Sequence, residues 1–185
     1  MSGDMGEIQR VFDGAECLYT RQQVQAAIGR LAKGIGERLA DANPLVFAAM
    51  NGGMIFCAEL LMLLPFPLES AYLHASRYRH SLTGGKLDWK VEPSHCLDNR
   101  SVLIIDDILD EGHTLAEIVD YCSRAGAREV VTAVLINKKH DRKIWAESRC
   151  DFIGLQCEDH YVFGYGMDYK GYWRNAPGIY RVTES

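Results

Sequence analysis

Apolar and polar positions alternate along this chain in two different rhythms. From Thr20 to Leu39, "TRQQVQAAIGRLAKGIGERL" places Val24, Ala27, Ile28, Leu31 and Ile35 at helical spacing, with Thr20 as the expected N-cap. "PLVFAAM" is then a continuous apolar run of strand length, closed by "NGG", and "MIFCAELLMLL" predicts an apolar helix stopped by Pro65. "LESAYLHASRY" predicts another strand, followed by a polar, glycine-containing segment, "RHSLTGGKLDWKVEPSH", with the composition of an exposed hairpin or mobile loop. "SVLIIDD" predicts a strand ending in two acids, Thr114 to Ala125 a helix closing at Gly126, "EVVTAVLINKK" a strand and "CDFIGLQ" a shorter one. The tail from Glu158 is rich in tyrosine and glycine. Strands alternating with helices predict an α/β fold with a mostly parallel sheet flanked by helices.

Composition narrows the class. The 185 residues suit one domain with a proper core, and 48% hydrophobic with 24% charged residues is a globular profile. A formal net charge of −5 argues against a surface built for the nucleic-acid backbone. The six cysteines are irregularly spaced with no Cys-x-x-Cys pair, which predicts reduced thiols rather than a disulfide framework or zinc site. "MSGDMGEIQR" lacks the basic and apolar regions of a signal peptide, and the apolar stretch from Leu60 to Leu68 is too short to span a bilayer. The expectation is a cytoplasmic protein with no membrane or nucleic-acid partner.

In parallel α/β folds ligands gather outside the carboxyl ends of strands. Three such ends carry chemistry: Asn51-Gly52-Gly53, the run from Asp106 to Thr114, and Lys138-Lys139. The second is the most telling, because burying charge is costly unless something pairs with it. Asp106 and Asp107 can accept hydrogen bonds from vicinal hydroxyls, directly or through a divalent cation. Gly112 and Thr114, where strand gives way to helix, can form a phosphate cradle. Acids beside a phosphate loop describe a ribose phosphate. The plainer alternative is a polar strand end with Asp110 and Thr114 capping the helix. His140 and Asp141 read more readily as a solvated turn than as a catalytic dyad, Lys139 as a surface charge, and Cys57 as core.

"VLIIDDILDEGHTL" resembles the phosphoribosyl-diphosphate signature of type I phosphoribosyltransferases. The chain from about Leu45 to Tyr180 is similar to the hypoxanthine-guanine branch. The resemblance implies a Rossmann-like core of about residues 40–150 and a small hood formed by the termini (the N-terminal segment and about 151–185), together one domain over 1–185. It implies contacts to phosphoribosyl diphosphate from Asp106, Asp107, Ile108, Leu109, Asp110, Glu111, Gly112, His113 and Thr114, and from Asn51, Gly52 and Arg174. Lys138 would meet the exocyclic oxygen of a 6-oxopurine, Tyr161 would stack on the ring, Val162 would read the base edge, and Asp168 would lie near base and metal. Asp106, Asp107 and Asp168 would serve a magnesium ion, Tyr78 would ride on a closing lid, and Asp110 would act at N7 as general base or hydrogen-bond acceptor.

Four positions depart from the family pattern: Asn51 where lysine is frequent, Glu111 for threonine, Arg77 for the serine before Tyr78, and Tyr161 for phenylalanine. The implied activity joins hypoxanthine or guanine to phosphoribosyl diphosphate, giving IMP or GMP plus pyrophosphate, in a homodimer or homotetramer. The alternatives are the same transfer to xanthine, adenine or a pyrimidine, and a non-catalytic RNA-binding regulator of the same fold. A phosphoacceptor signalling domain is disfavoured, since its acid pair would follow the first strand.

Overall fold

The apolar runs lie side by side in one sheet. In this computed structural model, which describes residues 4–77 and 87–183, the chain runs α1 (Met5–Gly14), β1 (Glu16–Tyr19), α2 (Arg21–Leu39), β2 (Leu45–Ala49), α3 (Gly53–Leu61) and β3 (Glu69–Arg77). It continues through β4 (Leu87–Val91), β5 (Ser101–Leu109), α4 (His113–Arg124), β6 (Glu129–Lys139), a 3₁₀ turn (Glu147–Arg149), β7 (Phe152–Glu158), β8 (Val162–Phe163) and β9 (Ile179–Arg181). The large sheet has the order β4-β3-β2-β5-β6-β7. Every pairing from β3 to β7 is parallel, and β4 joins the outer edge of β3 antiparallel. The α/β architecture expected from the sequence is therefore the one observed.

β5 explains why both faces are covered. Its Leu103 and Ile105 pack with Val24, Ile28 and Leu31 of α2 and Phe56 and Leu60 of α3. The alternate residues Val102 and Ile104 pack on the other face with Leu115, Ile118 and Cys122 of α4. A strand buried on both faces has to be apolar throughout, which is why the run reads without alternation. Parallel pairing also puts the carboxyl ends of β2, β5 and β6 on one edge of the sheet, so the three strand ends singled out from sequence become neighbours.

A second, smaller sheet, in the order β1-β9-β8, pairs strands from the N- and C-terminal parts of the chain antiparallel. α1, which the apolar pattern does not announce, docks there: Phe12 stacks on Trp173 at 4.4 Å between ring centroids, and Trp173 Nε1–H donates to the Ile8 carbonyl at 2.7 Å. On either side of the 40–150 span, α2 packs on the large sheet and β7 is one of its edge strands.

Several boundaries differ from the sequence reading for local reasons. α3 starts at Gly53 and stops at Leu61, short of Pro65. Leu63 and Leu64 N–H donate to the carbonyls of Leu60 and Leu61, a tightened last turn before the proline. β5 does not end at its acid pair but runs on to Leu109, with Ile108 and Leu109 paired to Ile136 and Asn137. Thr20 caps α2 as expected: its hydroxyl accepts from Gln23 N–H, and the Gln23 side chain accepts from Thr20 N–H at 2.9 Å, a capping box.

Candidate active site

A cleft of about 560 Å³ opens at the carboxyl edge of the large sheet. Asn51 and Gly52 line it from the β2–α3 turn, and Asp106, Asp107, Ile108 and Asp110 from β5 and the residue after it. Glu111, Gly112, His113 and Thr114 line it from the loop and the start of α4, and Arg174 from the segment between β8 and β9. Beside it lies a smaller cavity of about 190 Å³, lined by Lys138, Tyr161, Val162, Met167 and Asp168. The two share Asp107, Ile108 and Asp110 as a common wall.

Two glycines make the floor of the large cleft possible. Gly52 lies directly against the acid pair, since a Cβ there would come within 1.9 Å of Asp107 Oδ2. Gly112 is the N-cap of α4 at φ +85°, a left-handed conformation that costs a side-chain-bearing residue about 1–2 kcal/mol. A Cβ there would meet Trp145 Cβ at 2.4 Å. The loop thus turns tightly into α4, whose first residues line the cleft, and a helix N-terminus is an arrangement that binds anions.

Asp106 and Asp107 are consecutive near the end of β5, which runs on to Leu109, and Asp107 is 8% exposed. Burial, and then the charge of Asp107, push the Asp106 carboxyl well above its ordinary value. Burial also raises Asp107, against the opposing pull of Asp106 as hydrogen-bond partner and of the Arg174 charge. Two desolvated, mutually repelling carboxylates are an oxygen donor set that fits a hard divalent cation. Asp168 is already engaged: Oδ1 pairs with Arg174 Nη2 at 2.6 Å and Oδ2 accepts from Gly171 N–H at 2.7 Å. Arg174 also donates to the Gly166 carbonyl at 2.6 Å, which holds its guanidinium at the cleft mouth.

Asp110 stands between the two cavities with both oxygens occupied. Lys138 Nζ lies 3.2 Å from Oδ2 and His140 Nε2 lies 2.7 Å from Oδ1. Burial alone would raise this carboxyl, but the His140 hydrogen bond and the Lys138 charge outweigh it and bring the pKa below its ordinary value. Asp110, His140 and Asp159 also bring ligand atoms within 4.8 Å of one another, close enough to surround a cation. Protein cations already serve those carboxylates: Arg142 grips both oxygens of Asp159 at 2.7 and 3.0 Å, and Lys138 reaches Asp159 at 3.8 Å. The group is an ion-pair network, and the acid pair in the cleft is the better seat for a metal.

Most residues singled out from sequence converge here, with some exceptions. The Leu109 side chain is 1% exposed and packs in the core beside Trp145 rather than in the cleft. Tyr78 lies outside the described residues. His140 is a correction: the solvated turn expected there is a buried imidazole, 4% exposed, bonded to Asp110. The structure adds His74 and Lys90 to the large cleft and Met167 to the small one, none of which the sequence marked.

A wide cleft floored by carboxylates and a phosphate-type loop, beside a narrower aromatic slot, is the site of a phosphoribosyltransferase. The Phosphoribosyl transferase domain family matches residues 14–170, and the chain belongs to that family. It is 29% identical over 168 residues to the hypoxanthine-guanine phosphoribosyltransferase of Bacillus subtilis, covering 90% of this chain and 92% of that one. It is 28% identical over 181 residues to the hypoxanthine-guanine-xanthine phosphoribosyltransferase of Tritrichomonas foetus, covering 98% of each. Among solved structures, a hypoxanthine-guanine phosphoribosyltransferase of Bacillus anthracis superposes with a TM-score of 0.84 at 25% identity, over 91% of this chain and 98% of that one.

Proposed function

We propose that this protein joins hypoxanthine or guanine to phosphoribosyl diphosphate, forming IMP or GMP and releasing pyrophosphate, as a cytoplasmic enzyme of purine salvage. The observation that carries the reading is the shared wall: Asp107, Ile108 and Asp110 separate a cleft suited to a ribose phosphate from a slot suited to a flat base. Across such a wall an anomeric carbon and a purine nitrogen can meet. Similarity to relatives acting on these bases supports the same assignment.

Each side chain then has a task set by where charge develops. Gly112, His113 and Thr114, flanked by Glu111, cradle the 5′-phosphate at the N-terminus of α4, with Ile108 and Leu109 as the strand that carries the loop. Asp106 and Asp107 hold the ribose hydroxyls and would hold magnesium, with Asp168 at the far side of Arg174. Magnesium, when bound, supplies positive charge against the departing pyrophosphate. Arg174 and the backbone of Asn51 and Gly52 stabilise the same negative charge. Lys138, an ammonium that donates and cannot accept, selects a 6-oxo over a 6-amino group. Tyr161 offers its ring face, and its hydroxyl is tied to the Asp168 carbonyl at 3.2 Å. The Val162 backbone borders the base edge, and Asp110 accepts the proton at N7. Tyr78 belongs to this reading as the lid residue that excludes water.

All six cysteines are free thiols, in keeping with a reducing compartment, and no described helix is long and apolar enough to cross a membrane. Assembly as a homodimer or homotetramer is part of the proposal, supported by the adjacent exposed Met62 and Leu63 just after α3. The test is turnover by purified protein with magnesium, phosphoribosyl diphosphate and, separately, hypoxanthine, guanine, xanthine and adenine, with Asp110→Asn alongside. Turnover of hypoxanthine and guanine, little with adenine and a large loss in the variant is the expected result. Binding of the diphosphate without turnover of any base refutes the enzyme assignment. Xanthine is included because the Tritrichomonas foetus relative carries that specificity.

A further inference from the structure

The connection from β6 to β7 folds back over the loop after β5 and brackets it. Lys143 Nζ donates to the carbonyls of Leu109 and Asp110 at 3.1 and 2.9 Å. Ile144 and Trp145 N–H donate to the Glu111 carbonyl at 2.9 and 3.3 Å, and Trp145 packs under Gly112. These contacts hold the backbone of the loop. From the same connection His140 reaches the Asp110 carboxylate itself, at 2.7 Å from Oδ1.

The tautomer of His140 follows from its other ring nitrogen. Nδ1 lies 3.1 Å from the backbone N–H of Arg142 and accepts from it. A nitrogen that accepts a hydrogen bond carries no proton, so the ring proton is on Nε2 and points at Asp110. The imidazole thus donates through Nε2–H, and its 4% exposure leaves it little freedom to turn. Its bond takes one lone pair of Oδ1, leaving Oδ2 on the Lys138 side, where the base slot opens.

We infer that His140 is a positioning residue for Asp110: its Nε2–H, fixed by the Arg142 backbone, locks the carboxylate so that Oδ2 faces the purine. This rests on the phosphoribosyl transfer proposed above. When the Lys138 ammonium turns to the purine O6, His140 is the donor that stays on Asp110. The carboxylate then receives the N7 proton on Oδ2 without rotating. His140 keeps its own proton throughout and is no relay, because Nδ1 is already engaged.

The test compares His140→Leu, which fills the space without a donor, with His140→Gln, whose amide nitrogen reaches about as far as Nε2. Leucine should lower kcat by roughly 100-fold, the cost of a misplaced catalytic group, with KM for phosphoribosyl diphosphate within about twofold. Glutamine should recover most of kcat at the same KM. Unchanged kcat in the leucine variant, equal losses in both variants, or a loss confined to KM each overturn the inference. Circular dichroism and thermal melts identify a variant that has failed to fold. Long-range ¹⁵N–¹H correlation on wild-type protein, assigned through the signal missing from His140→Gln, should show the Nε2–H tautomer. An Nδ1–H tautomer refutes the inference. Wild-type protein that turns over no base refutes the proposed function, and the tautomer then still decides whether His140 holds Asp110 as described.

Discussion

Replacing Gly112 by alanine tests the phosphate loop where it is tightest. The left-handed backbone at φ +85° costs alanine about 1–2 kcal/mol. The new Cβ would sit 2.4 Å from Trp145 Cβ and 3.1 Å from Leu109 Cδ1. Both neighbours are buried, and the Trp145 atom is the first of its side chain, so no rotamer change relieves the contact. Overpacking of this kind costs about 1–3 kcal/mol. Together the loss should be about 2–5 kcal/mol, a large part of the roughly 5–15 kcal/mol by which domains are stable. Urea unfolding followed by fluorescence measures it, and a drop in midpoint at unchanged slope is the expected form.

Gly171→Ala is the internal control. Its φ of +90° carries the same backbone penalty, but no atom lies within 4 Å of the added Cβ. It should therefore lose about 1–2 kcal/mol, the backbone cost alone. The difference between the variants isolates the clash against Trp145. Relieving that clash also moves the loop by about 1 Å, enough to weaken turnover by roughly 100-fold. Equal losses in the two variants, or a Gly112→Ala protein with unchanged midpoint and turnover, refute the account of this loop.

Lys138→Met removes the donor proposed for O6. A hydrogen bond to a charged group contributes about 1.5–3 kcal/mol, so kcat/KM for hypoxanthine should fall about 10- to 150-fold, with adenine little affected. Asp106 makes stability depend on pH in an unusual direction. Its folded pKa is raised, so the native state keeps a proton the unfolded chain has lost, and stability falls as pH rises from the ordinary carboxylate value through the folded one. Magnesium should relieve that cost, raising Tm more at about pH 8 than at about pH 5; an equal gain at both refutes the placement of the metal at this pair. Asp159 has the opposite sign, lowered to about 2 by its Arg142 hydrogen bonds, so its contribution is lost only as pH falls toward that value. Thr20→Ala breaks the capping box of α2 and should cost about 1 kcal/mol in urea unfolding with turnover unchanged.

What could be read from the sequence was local in origin. The runs that became β2, β5 and β6 are apolar because both faces are covered, and Thr20 starts its helix by chemistry confined to one turn. The loop from Asp110 to Thr114 announced itself because acids, a glycine and a hydroxyl stand within a few residues. What escaped depends on distant partners. α1 is held by Phe12 against Trp173 and by the Ile8 carbonyl on the same indole, contacts that no short window contains. His140 read as a solvated turn because nothing in "KKHDRK" shows that this connection folds back onto Asp110. Lys90 and His74 reach the cleft from β4 and β3, where their neighbours gave no sign of a ligand. Leu109 was drawn into the site by its position in the motif, whereas its side chain is buried in the core with Trp145, a partner distant from it in the chain.

The central claim is that the two cavities meeting at Asp110 hold the two halves of one nucleotide. A crystal structure with GMP bound tests it most directly. The account predicts the 5′-phosphate on the N–H groups of Gly112 to Thr114, the ribose hydroxyls at Asp106 and Asp107, O6 at Lys138 and the ring against Tyr161. A nucleotide bound in the reverse sense, with guanine in the large cleft and phosphate beside Lys138, would contradict it.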